Sequence, residues 1–290
     1  MIGIFDSGIG GLTVVKAIKK ALPSYDLVYF GDTARVPYGN KSEDLIKQYA
    51  QEDTEFLIGK GAKIIIVACN TASAVALDYL RSNFDIPIFG VIEPAIAGAL
   101  AATVNGNIGV IGTRATINSG IFEKLLKNFN LSEQNKKIDK DVNIPAFMRK
   151  QGVKRVKDKI KINIFSQPAP LLVPLAEEGY LHRPETIKII KYYLIPLKVK
   201  QIDTLILGCT HYPLLKNLIQ TKMKHATLID SAVYTAEDLK KYLSANTDID
   251  RSLSKRKYES YYVSDLTIHT QNIAQKFLGK KINLEYIKLN

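Results

Sequence analysis

The sequence predicts an α/β protein built as two pseudo-symmetric α/β domains with mainly parallel sheets. Short β-branched apolar runs alternate with helical stretches along the chain, the pattern that buries a parallel sheet between layers of helices. The opening run IGIFDS at Ile2–Ser7 returns as IGVIGT at Ile108–Thr113. A length of 290 residues also suits two domains of about 150 residues each.

Taken in order, Gly3–Phe5 reads as a buried strand, then a turn at Gly8–Gly11 and a helix over Leu12–Ala21 that stops before Pro23. Leu27–Phe30 is a second strand. Ser42 is placed to cap a helix running to about Ile58, with Leu45, Tyr49 and Phe56 among its apolar positions. Ile64–Ala68 is a third strand, followed by a helix over Ala72–Leu80, and Ile86–Val91 is a fourth. The second round opens with the strand at Ile108 and a helix over Thr116–Phe129, and closes on the strand Thr204–Leu207. Beyond it come strand Thr227–Ile229, helix Ala232–Leu243, strand Tyr261–Val263, helix Leu266–Phe277 capped by Gly279, and strand Ile282–Ile287. The two strand starts, Ile2 and Ile108, are 106 residues apart, whereas Cys69 and Cys209 are 140 apart, so the second copy is 34 residues longer. The excess contains a basic insertion at about 134–161. The expected division is 1–94 plus 211–290 for one domain and 95–210 for the other.

Hydrophobic content of 46% and charged content of 23% match a soluble globular protein. The first apolar residues run straight into Asp6-Ser7-Gly8, so no signal peptide is expected, and no apolar run approaches the roughly 20 residues of a membrane helix. A cytoplasmic location follows as the expectation. Thiols stay reduced there, so Cys69 and Cys209 read as reactive or inert residues rather than a disulfide. Two thiols without a His/Cys cluster make a poor zinc site, and no metal is expected. Net charge is +12, but from Lys136 to Lys161 ten Lys/Arg face three Asp, so +7 of it belongs to the insertion. Val153, Val156 and Ile160 fall there at helical spacing, an apolar stripe on a basic helix. It reads as a solvated surface excursion, with an oligomer contact or a nucleic-acid patch as alternatives.

The two cysteines share one local frame. Each follows an apolar strand and a small residue and precedes short polar residues: VACNTAS at Val67–Ser73 and LGCTHYP at Leu207–Pro213. In open α/β sheets, ligands sit at the carboxyl ends of strands, and both thiols lie there. If the two copies face each other, the thiols approach one ligand from opposite sides. One thiolate can then remove a proton while the other thiol returns one to the opposite face, which inverts a stereocentre. Each thiol needs a neighbour to tune it, because the free group titrates near ~8.5 and only the thiolate is a base. A pair of buried structural cysteines is the competing reading.

The sequence resembles the cofactor-independent glutamate racemases of the wider aspartate/glutamate racemase family. The matching segments are IGIFDSGIGGLTV (Ile2–Val14), YFGDTARVPYGNKS (Tyr29–Ser42), VACNTASA (Val67–Ala74), GVIEP (Gly90–Pro94), GVIGTRATINSGIF (Gly109–Phe122), LLVPLAEEG (Leu171–Gly179) and LGCTHYPLL (Leu207–Leu215). The resemblance implies an active site at the interface of the two domains, Cys69 and Cys209 both catalytic, and no cofactor. It also implies glutamate as substrate and D-glutamate for bacterial peptidoglycan as product. Asp6 is then expected to assist Cys69, with Ser7 contacting substrate. Glu177 matches the acidic partner on the Cys209 side, and Glu178 is the alternative. The counterpart of Pro37-Tyr38-Gly39 holds the substrate's carboxylate through backbone and Tyr groups.

Several of these residues also carry a reading of their own. Asp6 and Ser7 can cap the first helix, and the backbone of Gly8–Gly11 can bind an anion. A dinucleotide fingerprint is absent, since Thr13 stands where the third glycine belongs. Asn70, Thr71 and Thr210 offer neutral donors and acceptors for an ammonium and a carboxylate. Thr113 and Thr116 are further candidates, Thr116 alternatively as a helix cap. His211, two residues after Cys209, can exchange a proton with a thiol near neutral pH. The rival readings are a racemase of another acidic amino acid such as aspartate, and a basic nucleic-acid-binding protein on an α/β scaffold. A homodimer is expected; nothing in the sequence identifies a nucleic-acid or gyrase site.

Overall fold

The computed structural model describes residues 1–126 and 161–289. The basic insertion, apart from Lys161, and the tail of the helix expected to reach Phe129 lie outside the described residues. Among the described residues ten strands form two sheets. The first holds β1 (Ile2–Asp6), β2 (Leu27–Gly31), β3 (Ile64–Val67), β4 (Ile88–Gly90), β9 (Glu259–Val263) and β10 (Glu285–Tyr286), in the order β10-β9-β2-β1-β3-β4. The second holds β5 (Asn107–Gly112), β6 (Asn163–Pro168), β7 (Thr204–Gly208) and β8 (Thr227–Asp230), in the order β6-β5-β7-β8. All pairings are parallel.

The duplication is visible in the strand order. β2-β1-β3-β4 and β6-β5-β7-β8 correspond strand for strand, with the cysteine-bearing β3 and β7 in the same place. β8 is therefore the counterpart of β4. The sequence reading placed residues 211–290 with the first half, but Thr227–Asp230 is hydrogen-bonded to β7 in the second sheet. Continuing the repeat by one more strand past Cys209 accounts for that placement.

β1, β2, β3 and β7 are buried along their whole length, as parallel strands covered on both faces must be. Residues such as Ile4, Phe5, Ile65 and Ile66 are fully inaccessible, each worth about 1.5–3 kcal/mol of transfer. Helix Leu12–Ala21 buries Leu12, Val15 and Ile18 at three-residue spacing, with Lys19 and Lys20 in the last turn where the helix dipole favours cations. Ser42 caps helix Glu43–Gly59 by accepting from Leu45 N. The helix expected over Ala72–Leu80 is instead two, Asn70–Val75 and Leu77–Asn83, with the bend at Ala76. Ala76 and Leu77 are both buried against the sheet, so packing sets a bend that the residue types do not encode. Of the strand expected at Ile282–Ile287, only Glu285–Tyr286 pairs, at the exposed edge of the sheet.

Helix Ile92–Ala102 carries the chain from the first sheet to the second, and helix Ser231–Ala245 carries it back. The two connecting helices pack together: the ring of Tyr234 lies where a β-carbon on Gly98 would stand, within 2.4 Å. This contact joins the halves through their connecting helices.

Candidate active site

The carboxyl ends of four strands meet between the halves. β1 ends in Asp6, β3 runs into Cys69, β5 into Thr113 and β7 into Cys209. Both cysteines are free thiols and buried, 5% and 7% exposed.

On the first side, Cys69 is the N-cap of helix Asn70–Val75, and Ala72 N donates to its sulfur at 3.5 Å. Ser7 Oγ lies 3.4 Å from the same sulfur. Burial, reinforced by the nearby Asp6 carboxylate, pushes the Cys69 thiol up to about 12. Asp6 is itself fully buried and accepts from Gly8 N (3.2 Å) and from Thr210 Oγ1 (3.4 Å). Burial raises its pKa, against the opposing pull of His211 and those hydrogen bonds. Asp6 thus acts on Cys69 and on His211 at once, standing between the two sides.

On the second side, a short relay runs through the imidazole. His211 Nδ1 is 3.8 Å from Cys209 Sγ, and Nε2 is 2.9 Å from Glu177 Oε1, at the end of helix Leu172–Glu177. Burial opposes a charged imidazole, but the hydrogen bonds to Cys209 and Glu177 outweigh it and hold His211 at about 10. His211 is therefore cationic at neutral pH. Glu177 is lowered: burial works against the carboxylate, and its bond to His211 prevails. Glu178, the alternative partner, is exposed.

Three hydroxyls close the site across the interface. Thr71 Oγ1 lies 2.9 Å from Thr113 Oγ1 and 3.2 Å from Thr116 Oγ1, and the last two are 2.9 Å apart. Thr113, not Thr116, caps helix Arg114–Asn118, accepting from Thr116 N. Asn70 is buried, and its Oδ1 has no hydrogen-bond partner among the described residues. It lines a small cavity together with Cys209, Thr210 and Asp230.

The turn at residues 37–39 is present, but Tyr38 does not offer its hydroxyl to a ligand. The side chain is 1% exposed, and its hydroxyl donates to the buried Asp32 carboxylate and lies 3.0 Å from Oδ2 of the buried Asp53. Only the backbone of this turn remains for substrate. Gly39 packs against Thr113 so closely that a β-carbon would come within 2.9 Å of it.

Gly10 and Gly11 of the turn allow a close approach between the two halves and to Asp6. A β-carbon on Gly10 would stand 2.4 Å from Thr210 Oγ1 and 2.6 Å from the His211 ring, and one on Gly11 would meet Asp6. Two contributors had no signal in the sequence. Thr13 Oγ1 reaches Gly10 O (2.9 Å) and Thr210 O (3.2 Å), tying the first helix to the second half. Phe277, from helix Ile268–Leu278, packs edge-on against His211 with ring centres 5.5 Å apart. Both act through tertiary contacts between segments far apart in the chain. Among the described residues no cluster of three or more His, Cys, Asp or Glu is arranged to hold a metal ion.

Comparison with known proteins matches the same architecture. The family model for Asp/Glu/hydantoin racemase matches residues 5–161. A glutamate racemase of Persephonella marina is 42% identical over 289 residues, 100% of this chain and 97% of the relative. A glutamate racemase of Bacillus anthracis superposes with a TM-score of 0.83 at 33% identity, covering 100% of this chain and 97% of that one. The Francisella tularensis glutamate racemase, solved in complex with D-glutamate, gives 0.81 at 34% identity with the same coverage. With both cysteines at matching strand ends and relatives of this similarity along its whole length, the chain belongs to the aspartate/glutamate racemase family.

Proposed function

We propose that this chain interconverts L- and D-glutamate using two cysteines as bases, without a cofactor. The observation that carries the reading is the equivalence of Cys69 and Cys209, each at the carboxyl end of the same strand of a repeated sheet. Full-length similarity to glutamate racemases, one of them bound to D-glutamate, supports glutamate over aspartate. The product supplies peptidoglycan synthesis.

In one direction a thiolate takes the α-proton and a thiol on the opposite face gives one back; the roles exchange in reverse. The two sides are tuned differently. Cationic His211 beside Cys209 is placed to exchange a proton with that sulfur and is held in orientation by Glu177. Cys69, pushed up by burial and Asp6, rests as a thiol ready to donate, and passes its proton toward Asp6 when it must act as base. Substrate contacts are assigned to Ser7, Asn70, Thr71, Thr113, Thr116 and Thr210, and to the backbone of Pro37, Tyr38 and Gly39. His211 and Asp6 lie within reach of the same ligand.

No helix among the described residues is long and apolar enough to cross a membrane. A cytoplasmic homodimer belongs to the same reading, and sedimentation at twice the chain mass tests its second part. The activity itself is tested by incubating pure protein with L-glutamate, with no cofactor added, and following optical rotation. Decay to zero rotation supports the reading; constant rotation, or decay only after pyridoxal phosphate or a metal is supplied, overturns it.

A further inference from the structure

Beneath the turn at residues 37–39 lies a buried cluster of charged groups that the two-thiol chemistry does not use. Asp32 follows β2 and Asp53 sits inside helix Glu43–Gly59, and both are fully inaccessible. Arg35 ion-pairs with both, reaching Asp53 Oδ1 at 3.0 Å, and with Glu52. Its guanidinium lies 4.1 Å from the centre of the Tyr49 ring, which in turn packs 5.5 Å from the Tyr38 ring. The Tyr38 hydroxyl donates to Asp32 and is 3.0 Å from Asp53 Oδ2. Ser264 donates to Asp32 Oδ1 at 2.8 Å, and Asp32 N donates to Asp6 O at 2.9 Å. Burying two carboxylates and a guanidinium costs several kcal/mol per ion unless the geometry is satisfied, so such a cluster is a costly way to support a surface turn.

What the cluster holds is the position of one side chain. Tyr38 is anchored at its far end, and its backbone leads into Gly39, which rests on Thr113 of the opposite half. Thr113 belongs to the hydroxyl triangle with Thr71 and Thr116. The anchor therefore fixes how far the turn stands from the Asn70–Thr71 end of the site.

We propose that Asp32, Asp53 and Arg35 are positioning residues for substrate: by clamping Tyr38 they hold the backbone of residues 37–39 where it meets a carboxylate of the substrate. The inference rests on the functional reading above and adds to it what sets affinity, remote from either thiol. Burial together with the Asp32 charge raises Asp53 above the usual carboxylate range, and an amide at this position keeps the side chain's shape and an oxygen facing Arg35.

The test compares KM and kcat for both enantiomers of glutamate in wild type, Tyr38→Phe, Asp53→Asn and Asp53→Val, with thermal unfolding of each. Tyr38→Phe should raise KM about tenfold or more in both directions while kcat stays within about threefold, the signature of lost uniform binding. Asp53→Val should do the same, and Asp53→Asn should restore KM to within about twofold of wild type. An unchanged KM in Tyr38→Phe overturns the proposal. So does a fall in kcat at constant KM, or an Asp53→Asn as impaired as Asp53→Val. Wild-type protein inactive on both enantiomers overturns the functional reading instead, and that result is in hand before any variant is compared.

Discussion

His211 Nε2 lies 2.9 Å from Glu177 Oε1, a contact between residues 34 positions apart that joins the turn after β7 to the end of helix Leu172–Glu177. With Nε2 held there and Phe277 packed edge-on, the ring presents Nδ1 toward Cys209 Sγ. The carboxylate also supplies part of what keeps the buried imidazole cationic. One contact therefore fixes both the direction and the charge of the group beside the second thiol.

Glu177→Gln should lower the pKa of His211 from about 10 toward its ordinary value, while Glu178→Gln should leave it unchanged. The imidazolium is the form present below that pKa, so the alkaline limb of kcat/KM, which reports the free enzyme, should move to lower pH in the first variant only. The same sign applies to stability. A raised folded pKa stabilises fully below about 6.5, and the benefit is lost as pH rises through about 10. Wild-type Tm should thus fall across that window more steeply than that of Glu177→Gln. Identical pH profiles for the two glutamine variants would remove Glu177 from the relay.

Cys69→Ala and Cys209→Ala should each abolish racemisation, because every turnover needs a base on one face and an acid on the other. Both side chains are buried and small, so the variants should fold. Loss of the α-deuteron from labelled substrate separates the steps: each variant should retain exchange, if any, from one enantiomer only. Near wild-type racemisation in either variant would end the two-base mechanism.

Gly10→Ala should cost about a hundredfold or more in kcat/KM, since its β-carbon would push Thr210 and His211 out of place and a misplacement near 1 Å is worth that much. Stability should fall by only about 1–3 kcal/mol, the usual cost of overpacking. Thermal unfolding alongside steady-state kinetics checks both; unimpaired kinetics would mean the close approach has no catalytic role.

Much of this site is legible in the sequence because it is encoded locally. Cys69 and Cys209 stand out through their shared frame, and helix Leu12–Ala21 and the Ser42 cap are written in spacing and residue type. What escapes is whatever depends on distant partners. Pro37-Tyr38-Gly39 reads only as a turn, and the resemblance adds a carboxylate held by its backbone and tyrosine, yet the Tyr38 hydroxyl is turned to Asp32 and to Asp53, which sits within an ordinary amphipathic helix. Thr13 and Phe277 join the site from helices whose own patterns are fully explained by packing against the sheet. β8 pairs with β7 in the second sheet because the repeat runs one strand past Cys209, which the chain order alone does not announce.

Asp6 and His211 offer the sharpest test of how the two sides divide the work. Of the two thiols, His211 lies against Cys209, so His211→Asn should slow chiefly the direction in which Cys209 is the base. Asp6 raises the Cys69 thiol through its charge and also bonds Thr210 of the other half, so Asp6→Asn should impair the Cys69-initiated direction more, and the opposite one to a lesser degree. The two enantiomers are equal in free energy, which forces kcat/KM to be the same in both directions for any variant. The bias must then appear as unequal kcat values compensated in KM. Both enantiomers should be run as substrates at saturation, following release of the α-deuteron for each variant. Opposite biases in kcat, larger for His211→Asn, are the expected result. Equal losses in both directions from both variants would mean that Asp6 and His211 bind substrate without tuning either thiol, and the two sides would have to be regarded as chemically equivalent.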